Sequence, residues 1–268
     1  MYDLIFFMGQ SNMQGQTERL LQPNNAVTNA FEYKFLSDEL VPLKNPVGED
    51  ITVDFLNGKP FSRGDDCDEW LRSHALGSSC FGNTNMVTHF CQAYSSASGN
   101  KVIAVHMAKG SSTVSEWQKG GIIYNAVIKK ASGAINKVEK QNILSINVVW
   151  LQGESDAIYS TTKEEYKSRL IKLKNDLKAD LNIDKFYIIK VGAFTNDFRD
   201  EVIFDAQEEL CANEDFVMLT RITQKIIHDK KYLNPEYDGH YNADGQKKIG
   251  ETAGENLARL LNGKGIIE

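Results

Sequence analysis

Short, mostly apolar runs recur along the chain and are separated by longer segments of mixed polarity. The runs cover residues 2–8, 101–107, 144–151, 185–191 and 216–219. They are rich in β-branched and aromatic residues and lack a strict apolar–polar alternation, which is typical of strands that are buried on both faces. The pattern therefore predicts a sheet whose strands are parallel and central to the domain.

Five segments between and after these runs are predicted to be helices, most of them because apolar residues recur at intervals of three or four. They span residues 83–97, 124–140, 162–181, 199–211 and 247–261. A parallel sheet needs helices on both faces to bury it. The expected fold class is therefore α/β, a three-layer α/β/α arrangement around a central parallel sheet.

Residues 20–81 interrupt this alternation. The segment holds four of the chain's five prolines and shows no sustained helical or alternating period. Proline lacks a backbone N–H, so residues 41–48 are not expected to form a regular helix or a central strand. Because long irregular loops in compact domains are usually functional or disordered, we interpret the segment as an insertion on the substrate side of a single domain, residues 1–268. A surface excursion without a role is the alternative.

The composition of the chain argues against some classes of binding partner. The 268-residue chain is 41% hydrophobic and 25% charged, with a net charge of −6. An acidic balance argues against nucleic acid or an anionic membrane as a partner, and no apolar run approaches the ~20 residues of a membrane helix. The N-terminus shows no signal peptide, so a cytoplasmic location is expected, although a trimmed leader would leave the same sequence. The oligomeric state stays open.

The cysteines do not indicate a metal or redox site. None of the four, Cys67, Cys80, Cys91 and Cys211, forms a Cys-x-x-Cys pair. In a chain of this length we expect free thiols, with a Cys67–Cys80 bridge as the alternative in an oxidising compartment. No metal and no cofactor are expected.

Candidate chemistry lies directly after the first three major strands, because ligands of open α/β sheets bind outside the carboxyl ends of the strands. The first strand runs into Gly9-Gln10-Ser11-Asn12-Met13, the second into Lys109-Gly110, and the third into Gln152-Gly153-Glu154-Ser155-Asp156. A serine in such a turn is well placed to act as a nucleophile beside free N–H groups. Serine and asparagine are also ordinary turn and cap residues.

These segments resemble, in order, the sequence blocks of the SGNH hydrolase superfamily, in its branch of sialate O-acetylesterases and acetyl-xylan esterases. A loop with Asp238-Gly239-His240 before the last helix is similar to the block that carries the family's Asp and His. The resemblance implies a flavodoxin-like SGNH fold. It also implies a serine esterase that removes O-acetyl groups from a carbohydrate, such as sialic acid or a xylan-type glycan, through an acetyl-enzyme.

The same resemblance implies roles for individual residues. Ser11 would be the nucleophile, His240 the base and Asp238 its orienting partner, with Glu236 as the fallback because the Asp-x-His spacing is short. The oxyanion would be held by the N–H groups of Ser11 and Gly110 and the amide of Gln152. The expected supporting residues are Gln10, Asn12, Glu154 and Asp156.

Two other functions remain open at this point. An SGNH lipase- or thioesterase-like hydrolase would prefer longer acyl chains. A non-catalytic carbohydrate-binding protein on the same scaffold would bind glycan without turnover. Trp117 either stacks on a sugar ring or packs in the core.

Overall fold

The computed structural model describes residues 1–18, 25–35, 37–48 and 84–268. Within these ranges the chain forms a seven-stranded sheet in the order β3-β2-β4-β1-β5-β6-β7. The strands are β1 (Tyr2–Gly9), β2 (Ala30–Lys34), β3 (Glu39–Pro42), β4 (Lys101–Ala108), β5 (Ile143–Leu151), β6 (Lys185–Ile189) and β7 (Val217–Thr220). Neighbouring strands are parallel except for the antiparallel pair of β2 and β3.

Helices cover both faces of the sheet. They are α1 (Ser11–Gln14), α2 (Val87–Ser98), α3 (Ile122–Asn136), α4 (Glu154–Ile158), α5 (Lys163–Leu181), α6 (Phe198–Asn213), α7 (Ile222–Ile226) and α8 (Ala243–Leu261). Helices α3, α5 and α6 contribute to the apolar core on one face, and α2, α7 and α8 to the core on the other. The predicted three-layer α/β/α fold is confirmed.

Strand β1 lies at the centre of the sheet because both of its faces are apolar. Leu4, Phe6 and Met8 point into one core, whereas Ile5 and Phe7 point into the other, and all five are fully buried. This is the two-residue side-chain period of a strand that is covered on both sides.

The strand register brings three strand ends to one level. Gly9, the last residue of β1, pairs with Ala108 of β4 and with Leu151 of β5. The turns that follow these three strands therefore leave the sheet side by side. Gly9 itself has φ +151°, and a Cβ at this position would lie 2.0 Å from the carbonyl oxygen of Leu151. Only glycine fits here, because the backbone conformation and the close approach both exclude a side chain.

The major predicted strands and helices are present, with bounds that differ by a few residues. The short helices α1, α4 and α7 were not predicted, since four or five residues are too few to show a period. The described helices include none that is long and apolar enough to cross a membrane. Cys91 and Cys211 are free thiols, as predicted, whereas Cys67 and Cys80 lie outside the described residues.

The prediction that residues 20–81 lack regular structure is wrong for part of that segment. Strands β2 and β3 lie within it and extend the sheet beyond β4. Strand β3 is short and largely exposed, so it leaves no apolar run in the sequence. Its last residue, Pro42, is on an edge strand, where a missing N–H is tolerated. Residues 19–24, 36 and 49–83 lie outside the described residues, and with them most of the proposed insertion.

Candidate active site

Ser11 occupies the first position of α1, directly beyond the end of β1. Its side chain is only 4% exposed. The first N–H groups of a helix have no acceptor within the helix and carry its positive dipole end. The backbone around Ser11 therefore presents donors suited to a developing negative charge.

His240 contacts the hydroxyl of Ser11. The Nε2 atom lies 2.8 Å from Ser11 Oγ, and the Nδ1 atom lies 2.9 Å from the main-chain carbonyl oxygen of Asp238. A carbonyl oxygen only accepts hydrogen bonds, so Nδ1 carries the proton and Nε2 is left to accept from the hydroxyl. This is the tautomer that a general base next to a serine requires.

The ring of His240 is partnered by the main chain of Asp238 rather than by a carboxylate. Among the described residues, neither the Asp238 nor the Glu236 carboxylate forms a hydrogen bond with the imidazole. Gly239 has φ +72°, and the main-chain N–H of His240 donates to the carbonyl of Tyr237 at 3.2 Å. The chain therefore reverses tightly just before the histidine. This turn places the carbonyl of Asp238 against the ring.

Phe194 supports the other side of the imidazole. Its ring meets that of His240 edge to face, with centroids 5.7 Å apart and planes at 89°. A Cβ on Gly239 would lie 2.4 Å from the Phe194 ring. The histidine loop is therefore packed closely enough to hold the imidazole in one orientation.

Asn12 links Ser11 to the histidine loop on both sides of His240. Its Nδ2 donates to the carbonyl of Gly239 at 3.1 Å and to Glu154 Oε1 at 2.8 Å. Its Oδ1 accepts from the N–H of Tyr241 at 3.2 Å. The residue next to the candidate nucleophile thus positions the two neighbours of the candidate base.

Gln10 joins the Ser11 turn to the turn after β5. Its Oε1 accepts from the N–H groups of Gly153 and Ser155, at 3.3 and 3.1 Å, and its Nε2 donates to Ser155 Oγ at 3.2 Å. These contacts satisfy donors at the start of α4, which a helix of this kind cannot satisfy internally.

Two buried carboxylates lie behind these turns. Glu154 is 2% exposed, and burial raises its pKa to about 7 in spite of the hydrogen bond from Asn12. Burial also raises the pKa of Asp156, whose Oδ2 accepts from the N–H of Val114 at 2.8 Å and from Gln152 Nε2 at 2.5 Å. Within the described ranges no group of three or more His, Cys, Asp and Glu residues could hold a metal ion.

Gln152 lies at this edge of the sheet but directs its amide into the protein. Its Nε2 donates to the carbonyl of Ser112 at 2.9 Å as well as to Asp156. An amide nitrogen has two hydrogens, and both are used in these contacts. The expected oxyanion donor is therefore engaged in holding the turn after β4 against the turn after β5.

Gly110 lies close to Ser11. A Cβ on Gly110 would lie 3.7 Å from that of Ser11. Its N–H donates to Gln14 Oε1 at 3.1 Å. Gln14 was not singled out from the sequence, although its position three residues after Ser11 on a helix places both on one face.

Trp117 packs in the core and does not face the site. It is fully buried, its ring meets that of Trp150 edge to face at 5.1 Å, and its Nε1 donates to Ser112 Oγ at 2.9 Å. Of the two alternatives for this residue, packing is the one the structure shows.

The sequence also matches a known family. A family model described as carbohydrate esterase, sialic acid-specific acetylesterase (SASA), matches residues 1–259. The match covers nearly all of the 268-residue chain. This chain belongs to the SASA family of carbohydrate esterases. The resemblance inferred from the four sequence blocks is confirmed, and the enzyme class is that of the carboxylic ester hydrolases.

Relatives of this SASA-family chain are distant in sequence. A probable carbohydrate esterase of Arabidopsis thaliana is 30% identical over 94 residues, which span 33% of this chain and 32% of that relative. The X-ray structure of the same Arabidopsis thaliana protein has a TM-score of 0.66 at 15% identity, covering 96% of this chain and 98% of that one. NanS gives 0.58 at 14% identity, covering 98% and 97% of the two chains.

A carbohydrate acetylesterase from Xanthomonas citri has a TM-score of 0.59 at 14% identity, covering 98% of the SASA-family chain and 56% of the Xanthomonas chain. At identities this low the likeness concerns the fold alone. The three-layer arrangement is therefore shared with the Xanthomonas citri acetylesterase.

Proposed function

We propose that this carbohydrate esterase removes O-acetyl groups from a glycan through an acetyl-enzyme formed on Ser11. The observation that carries the proposal is the 2.8 Å contact between His240 Nε2 and Ser11 Oγ, at the edge where three strand ends meet. A nucleophile with a base in hydrogen-bond reach, and a group that orients the base, are the parts that acyl transfer requires.

The first half of the reaction forms the acetyl-enzyme. Ser11 Oγ attacks the acetyl carbonyl carbon while its proton passes to His240 Nε2. The tetrahedral intermediate collapses, the bond to the sugar oxygen breaks, and that oxygen leaves with the proton from Nε2. The carbonyl of Asp238 keeps the Nδ1–H in place and stabilises the imidazolium that forms.

The second half returns the enzyme to its starting state. Water gives a proton to His240 Nε2 and attacks the acetyl carbon on Ser11. Collapse of the second intermediate releases acetic acid, which ionises to acetate in water, and His240 Nε2 returns its proton to Ser11 Oγ. No group beyond water is consumed.

Two backbone N–H groups, those of Ser11 and Gly110, are proposed to bind the oxyanion. Each donor of this kind contributes about 3 kcal/mol to transition-state stabilisation. Because Gln14 Oε1 accepts from the Gly110 N–H, the acetyl oxygen replaces an amide oxygen there. Gln152 and Asp156 hold the turn after Gly110 in place through their hydrogen bonds to Ser112 and Val114.

An acyl-length series tests the acetyl preference against the lipase- or thioesterase-like alternative. We expect kcat/KM to be highest for an aryl acetate and to fall for the butyrate and octanoate. O-acetylated sialic acid and acetylated xylo-oligosaccharide then identify the glycan. A preference for octanoate would support the alternative, and glycan binding without acetate release would support a non-catalytic binding protein.

The pH dependence should report His240. Burial lowers the pKa of His240 below its ordinary value of 6.5, and only the neutral imidazole can accept the Ser11 proton. Activity is therefore expected to be lost as the pH falls, with the midpoint of the kcat/KM limb below 6.5 for an aryl acetate. Glu154→Gln is the control, because the pKa of Glu154 is about 7. If the limb disappears in that variant, the limb belongs to Glu154 and not to His240.

A further inference from the structure

Three aromatic side chains of the described residues are well exposed, and they belong to segments that follow strand ends or carry His240. Tyr159, Phe198 and Tyr237 are 72%, 71% and 39% exposed. Tyr159 follows α4, Phe198 begins α6, and Tyr237 belongs to the turn that carries His240. An aromatic ring that stays exposed to water does not contribute the favourable free energy of burial. Several exposed rings at the carboxyl edge of the sheet therefore indicate a surface that binds a ligand.

One of these rings lines a cleft of about 360 Å³, and a second lies next to it in the sequence. Phe198 lines the cleft, and Tyr159 is the residue immediately before its first lining residue, Ser160. The remaining lining residues are Thr161, Thr162, Lys163, Glu164, Arg199 and Val202. The cleft therefore lies between the loop that joins α4 to α5 and the first turns of α6.

Helix α4 connects this cleft to the candidate nucleophile. The helix begins at Glu154, which accepts from Asn12, the neighbour of Ser11. It ends at Ile158, whose carbonyl accepts from Arg199 Nη1 at 3.3 Å. A helix of five residues is about 7.5 Å long. The cleft is thus within reach of a short oligosaccharide whose acetylated unit lies at Ser11.

The cations that line the cleft are already paired with carboxylates. Arg199 donates through Nε and Nη2 to Asp197, at 3.0 and 2.8 Å, and Lys163 lies 2.6 Å from Glu209. No cation that lines the cleft lacks a carboxylate partner among the described residues. An anionic sugar would find no free positive charge here, whereas a neutral sugar needs only apolar faces and hydroxyl groups.

We propose that this cleft is a subsite for a neutral oligosaccharide, in which sugar rings next to the acetylated unit stack on Phe198 and Tyr159. The sugar's C–H face lies against the aromatic ring, and its hydroxyl groups reach the side chain of Ser160. The inference rests on the proposed function, because it names the substrate class of the same site.

Steady-state kinetics with three substrates tests the subsite. The substrates are an aryl acetate, an acetylated neutral xylo-oligosaccharide and O-acetylated sialic acid. The variants are Phe198→Ala, Tyr159→Ala and both together. For the oligosaccharide we expect KM to rise by about 5–10-fold in each single variant, the usual scale for truncating an aromatic contact. For the aryl acetate, kcat/KM should stay at the wild-type value.

Two control variants separate binding from structure. Phe198→Tyr keeps the ring and should retain the wild-type KM for the oligosaccharide. Leu144→Ala removes a side chain that is 48% exposed near the start of β5, at the opposite edge of the sheet, and should change neither substrate.

The subsite is overturned if KM for the oligosaccharide is unchanged in the double variant, or if the aryl acetate loses activity in parallel. It is also overturned if wild type prefers O-acetylated sialic acid. The proposed function fails separately, if the wild-type protein releases acetate from none of the three substrates or if Ser11→Ala remains active.

Discussion

Replacement of Ser11 by alanine is expected to lower kcat/KM for an aryl acetate by about 10⁴-fold or more, with the fold retained. The hydroxyl that is lost is the one in contact with His240 Nε2. The backbone N–H groups at the start of α1 remain, so the change removes the nucleophile and little else. A single oxygen atom is deleted, so the free energy of unfolding should change little.

His240→Ala should cause a loss of similar size, and the double variant should lose no more than either single variant. Residues that act as one catalytic unit are not additive, because removing one member makes the other useless. Ser168→Ala, at an exposed position on α5, is the matched serine control. Additive losses in the double variant would show that the two side chains act independently.

Replacement of Asn12 by alanine is expected to lower kcat by about 10²–10³-fold, the scale of a misplaced catalytic group. The change removes the hydrogen bonds to Gly239 and Tyr241, which flank His240. It also leaves Glu154 Oε1 without its donor, which costs about 1–3 kcal/mol of stability. The two effects must be separated to establish that Asn12 positions the histidine.

Glu154→Leu provides that separation. In this background the carboxylate that Asn12 serves is absent, so Asn12→Ala should cost less free energy of unfolding while the loss of kcat persists. Thermal unfolding and aryl acetate kinetics of the four proteins in this cycle give both quantities. An unchanged kcat in Asn12→Ala would mean that the histidine loop holds its position without this residue.

Convergence of the strand-end residues was predictable from the sequence. Ser11, Gly110 and Gln152 each follow a buried strand, and parallel strands in register place such turns side by side. The sequence distance between Ser11 and His240 carries no such information. The resemblance to a known family supplied that pairing.

The finer geometry was not predictable, because it depends on the backbone around single residues. Whether the Asp238 carboxylate or its carbonyl meets His240 is decided by the left-handed conformation of Gly239. The direction of the Gln152 amide is decided by acceptors on two other turns, Ser112 and Asp156. Strands β2 and β3 were not predictable because neither is long or apolar enough to form a recognisable hydrophobic pattern in the sequence.

Covalent labelling with a serine-directed fluorophosphonate tests the central claim most directly. The account predicts that one label per chain attaches to Ser11, located by peptide mapping, and that aryl acetate turnover falls in proportion to the labelled fraction. Ser11→Ala should take up no label. Full turnover in a protein labelled at Ser11, or loss of turnover with the label at another residue, would contradict the assignment of Ser11 as the nucleophile.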